Sequence, residues 1–111
     1  MVRVIVYGPI VCGKCNGTIR LLTSAGIPAE KAVIDDPMSE IVLASKSALL
    51  AERRREEGLP EVNLTIDEIA AHSFQAPFVW IEEDGKSRFG WADLRPDKIK
   101  DLAEEYVTVN A

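Results

Sequence analysis

The only two cysteines of this 111-residue chain stand together as Cys12-Gly13-Lys14-Cys15. Paired thiols at this spacing serve zinc sites, structural disulfides and redox chemistry. What surrounds them separates these uses. Residues 2–7, Val-Arg-Val-Ile-Val-Tyr, are rich in β-branched residues and apolar on both faces, as in a strand buried on both sides. Gly8-Pro9 breaks that run, and from Cys15 onward Ile19 and Leu22 recur at helical spacing. The pair therefore falls where a strand ends and a helix opens. Unpaired N–H groups and the positive end of the helix dipole favour a thiolate there. Lys14 adds a positive charge. In such settings a thiol that ordinarily ionises near pH ~8.5 does so at roughly 3.5–7.5. Cys12 is expected to be the exposed nucleophile, at or just before the N-cap. Cys15, one turn on and more buried, is expected to resolve the mixed disulfide. Gly13 would keep the approach to Cys12 open.

Zinc fits poorly. A structural site needs about four ligands, and the chain offers two cysteines and one histidine, His72. His72 reads as a helix-end surface residue. An inert disulfide fits little better, because a loop this small constrains little of the unfolded chain. The first apolar run is too short for a secretory signal, and no stretch approaches the roughly 20 apolar residues of a membrane span. The expected location is the cytoplasm, where a lone cysteine pair is more often catalytic than structural.

The remaining sequence must position the pair. Hydrophobic residues make up 47% and charged residues 28% of the chain, the balance of one ordinary globular domain over residues 1–111. A net charge of −5 gives no electrostatic reason to expect nucleic acid. Arg53-Arg54-Arg55, followed at once by Glu56-Glu57, reads as a solvated helix end. Gly26 and Pro28 end the first helix, and residues 30–34 form a second strand. A helix over residues 39–57 would be capped by Ser39 and would bury Ile41, Leu43, Ala44, Ala48, Leu49 and Ala51. Thr65-Ile66-Asp67-Glu68 has the form of a capping box, opening a short helix to about residue 72. Residues 78–81 and 87–91 read as a hairpin around Asp84-Gly85. Pro96 opens a last helix, with Ile99, Leu102, Ala103 and Tyr106 on one face. The order is βα, β, αα, ββ, α, and no coiled-coil seam points beyond a monomer.

Val4-Ile5-Val6-Tyr7, then Cys12, Cys15-Asn16, Thr18 and Leu22, resembles the first βα unit of glutaredoxin-like proteins. Gln75-Ala76-Pro77, the β-run after it, and Arg95-Pro96-Asp97-Lys98-Ile99 with Leu102-Ala103 are similar to the C-terminal half of NrdH-type redoxins. The resemblance implies an α/β chain with the thioredoxin fold: a central four-stranded mixed sheet flanked by helices, with a helical insertion around residues 37–63. It implies a cis Ala76–Pro77 bond beside the cysteines, with the Ala76 backbone receiving an extended substrate segment by strand addition. Gly13, Lys14 and Trp91 would join Ala76 and Pro77 in binding substrate. The implied activity is that of a thiol–disulfide oxidoreductase without a cofactor beyond its own Cys12–Cys15 disulfide. It would donate electrons to ribonucleotide reductase or another disulfide-bearing protein and be re-reduced by thioredoxin reductase. The lead-in Pro9-Ile10-Val11 departs from the lysine and proline usual in that group, and Gly90-Trp91-Ala92-Asp93-Leu94 is similar to the glutathione loop of glutaredoxins. A glutathione-dependent glutaredoxin therefore stays open, as does an adaptor without catalysis.

Overall fold

The computed structural model describes residues 2–60 and 62–110. The β-branched run forms β1 (Val2–Gly8), and the helical spacing after the cysteines forms α1 (Gly13–Ser24). Gly26 takes a positive φ of 82°, which turns the chain out of α1 and back along β1 as β2 (Ala29–Val33). β1 and β2 are parallel, with Val4 opposite Ala29 and Gly8 opposite Val33. Two helices follow, α2 (Glu40–Glu56) and α3 (Ile66–Ala71), then the hairpin β3 (Phe78–Glu83) and β4 (Lys86–Ala92), and finally α4 (Pro96–Asn110). Asp84 and Gly85 both have positive φ, 53° and 80°, the backbone a tight two-residue hairpin turn requires.

The four strands form one mixed sheet in the order β2-β1-β3-β4, with β3 antiparallel to both its neighbours. The chain divides into two compact units. One comprises the residues up to Asp35 and from Gln75 onward, and holds the whole sheet with α1 and α4. Alternation along the strands turns Val2, Val4 and Val6 to one sheet face. There they join Val79, Ile81 and Trp91, and Cys15, Leu22, Ile99 and Leu102 from the two helices close the core. Fully burying side chains of this size stabilises the fold by about 1.5–3 kcal/mol each. A register shift at Val79/Trp80 leaves Gly90 as the extra residue of β4, and a Cβ there would press on Ile81 at 3.1 Å.

The second unit, Asp36–Phe74, extends beyond the expected insertion at residues 37–63. α3 belongs to it, because the Thr65–Glu68 capping box forms and Lys46 Nζ of α2 donates to Ala70 O at 3.1 Å. Arg53 stacks over the Phe74 ring, 5.3 Å from its centroid. α2 differs from expectation in two respects. Its buried face is Val42, Ser45, Lys46 and Leu50, rotated from the predicted stripe. Ser39 occupies the N-cap, but its Oγ makes no capping bond and is buried without a partner among the described residues. Among the described residues, no helix is long and apolar enough to cross a membrane.

Candidate redox site

β1 ends at Gly8, and β2 fixes the chain that follows. Ile34 N–H donates to Gly8 O at 2.8 Å, and Lys31 Nζ donates to Ile10 O at 2.9 Å. Ile10 and Val11 are left 70% and 91% exposed, an apolar lip immediately before Cys12.

Cys12 is the N-cap of α1, with extended backbone at φ −149° and ψ 96°. Its Sγ accepts the Cys15 N–H at 3.1 Å, so sulfur does what a serine or aspartate oxygen does at other N-caps. Cys12 and Cys15 are joined as a disulfide, with Cα atoms 5.2 Å apart. Cys15 is fully buried and Cys12 only 9% exposed. The expectation of an exposed Cys12 is thus corrected in degree. The capping bond and the disulfide turn its sulfur inward, although it remains the more accessible of the two. Gly13 is open, since a Cβ there would meet no atom within 4 Å.

Gly8 belongs to this site, although in sequence it reads only as a strand breaker. A Cβ on Gly8 would overlap Cys15 Sγ and lie 3.4 Å from Cys12 Sγ and 3.8 Å from the Ala76 Cβ. Gly8, both cysteines and Ala76 therefore converge. The signal was available, because a glycine inside a strand pattern marks close backbone approach. The Ala76–Pro77 bond is cis, and Pro77 is fully buried. Among the described residues, no hydrogen bond engages the Ala76 main chain.

Lys14 points away from a simple role as a free cation beside Cys12. Its Nζ lies 2.8 Å from Asp93 Oδ1 and 3.5 Å from Gln75 Oε1. Asp93 has a positive φ of 72°, its N–H donates to Pro77 O at 2.9 Å, and its Oδ1 accepts the Leu94 N–H at 2.7 Å. The hydrogen bond from Lys14, and after it the one from Leu94, holds the Asp93 carboxyl below the usual carboxylate range. Leu94 packs against α1 at Gly17, 3.7 Å from where a Cβ would stand. The loop after β4 is thereby fastened beside the cysteine pair. Trp91 is not on an open groove. Opposite Val79, it faces the helix-covered side of the sheet, 4% exposed within the core, and its Nε1 has no partner among the described residues.

Among the described residues, no group of three or more histidine, cysteine, aspartate or glutamate side chains could hold a metal ion. No protein-family model matches the chain, and no curated protein matches its sequence. The site itself defines a C-x-x-C pair at disulfide distance, which fits a redox-active dithiol motif.

Proposed function

We propose that the chain is a cytoplasmic dithiol–disulfide oxidoreductase with a thioredoxin-like fold, an NrdH-like electron donor to a ribonucleotide reductase disulfide. One observation carries this reading: Cys12, bonded to Cys15, caps α1, with Cys15 fully buried and Cys12 the more accessible of the two. In the reduced protein the Cys12 thiolate attacks one sulfur of the substrate disulfide. A Cys12–substrate disulfide forms and the first substrate thiolate leaves. Cys15 then loses its proton and attacks Cys12 Sγ, releasing the second substrate thiolate and closing the Cys12–Cys15 disulfide. Two electrons have passed to the substrate, and thioredoxin reductase returns them from NADPH. The Ala76 main chain beside the pair, unbonded among the described residues, supports strand addition by the substrate segment.

The Asp93–Pro77 hydrogen bond also supports a second reading, glutathione-dependent reduction, because it brings the Trp91–Leu94 loop to the cysteines. Disulfide reduction with each reductant separates the two. Turnover with NADPH and thioredoxin reductase is expected, and turnover driven only by glutathione and its reductase would replace the first reading with the second.

A further inference from the structure

Lys14 is the second residue of α1, between the two cysteines in sequence. That charge is not free. Asp93 Oδ1 holds the ammonium at 2.8 Å, and Gln75 Oε1 lies at 3.5 Å. Asp93 is itself fixed at its own N–H, which donates to Pro77 O, and at its carboxylate, which accepts from Leu94. It adopts the left-handed φ of 72°, a conformation that L-residues avoid and that aspartate tolerates by bonding locally. The loop thus presents a preset carboxylate to the one lysine inside the C-x-x-C motif.

We propose that Asp93 is a positioning residue that acts through Lys14, holding the ammonium in a neutral pair and so restraining ionisation of Cys12 in the reduced protein. This rests on the reading of Cys12 as the attacking thiol. An unpaired cation beside a thiol favours the thiolate, and a carboxylate bound to that cation cancels most of its field. Two further cations lie on the flanking segments, and Arg95 also lowers the Asp93 carboxyl. Lys31 of β2 bonds Ile10 O, and Arg95 pairs with Asp97 at 3.0 and 2.8 Å. The functional consequence concerns direction. A strongly acidic attacking thiol stabilises the reduced form and makes a disulfide oxidising, whereas a less acidic one forms a more nucleophilic thiolate and a poorer leaving group. Asp93 thereby biases the pair toward donating electrons.

The test is the pH dependence of iodoacetamide alkylation at Cys12 in reduced protein carrying Cys15→Ser. Asp93→Asn is expected to lower the alkylation midpoint by roughly 0.5–1 pH unit, and Asp93→Glu to restore it. With Lys14→Gln also present, Asp93→Asn should move the midpoint by less than half as much. Asp93→Gly suits the positive φ and serves as a second variant should the asparagine protein not fold. An unmoved midpoint, or an equal shift with and without Lys14, overturns the proposal. Complete resistance of Cys12 to alkylation up to alkaline pH would instead overturn the redox reading beneath it.

Discussion

Gly8 and Cys15 approach so closely that a methyl group on Gly8 would overlap the Cys15 sulfur. The end of β1 and the first turn of α1 are therefore packed through a position that only glycine fills without displacement. Gly8→Ala forces the sulfur or the strand to move, and overpacking of this kind costs about 1–3 kcal/mol. The oxidised variant should melt at least about 4 °C below the unaltered protein in a thermal scan. Equal melting temperatures would mean that the contact is not tight.

Trp91 contributes area to the core but brings a buried Nε1 with no partner among the described residues. An unsatisfied buried donor costs about 1–3 kcal/mol. Trp91→Phe removes that cost and loses packing volume, so the two effects oppose each other. Denaturant unfolding should show a net change within about 1 kcal/mol, against about 3–5 kcal/mol for Trp91→Ala. KM for a protein disulfide should be unchanged in Trp91→Phe. A raised KM would return the ring to the substrate path.

The strand-to-helix junction at Cys12 was legible because β-branched residues give way to Gly8-Pro9 and then to helical spacing. The hairpin was legible from Asp84-Gly85, and α3 from its capping box. The rest depended on partners distant in sequence. Nothing near Lys14 announces Asp93, and nothing near Gly8 announces the sulfur against it. In α2, hydropathy counts Ser45 and Lys46 as surface residues. They are buried because Ser45 Oγ bonds Ile41 O at 2.7 Å and Lys46 Nζ bonds Ala70 O. Polar groups that satisfy themselves rotate a helix away from the face its apolar residues suggest.

Asp93 offers a direct electrostatic check. Its carboxyl is held below the usual range chiefly by the Lys14 hydrogen bond, so NMR titration should give a midpoint below that of an unperturbed aspartate. Lys14→Gln should raise it. A folded-state pKa below the unfolded value means that the pair's contribution is complete above the unfolded pKa and is lost as pH falls through the folded one. Both side chains are more than a third exposed, so that contribution is small. An Asp93 midpoint indifferent to Lys14 would contradict the pairing.

Covalent trapping tests the redox role of Cys12 and Cys15 most directly. Reduced Cys15→Ser protein is mixed with an oxidised, disulfide-bridged protein substrate and analysed by mass spectrometry without reductant. The expected product is one stable adduct on Cys12, while Cys12→Ser forms none and has no reductase turnover. Full turnover by Cys12→Ser, or no adduct on Cys12 in the Cys15→Ser protein, would contradict the assignment of Cys12 as nucleophile and Cys15 as resolving thiol.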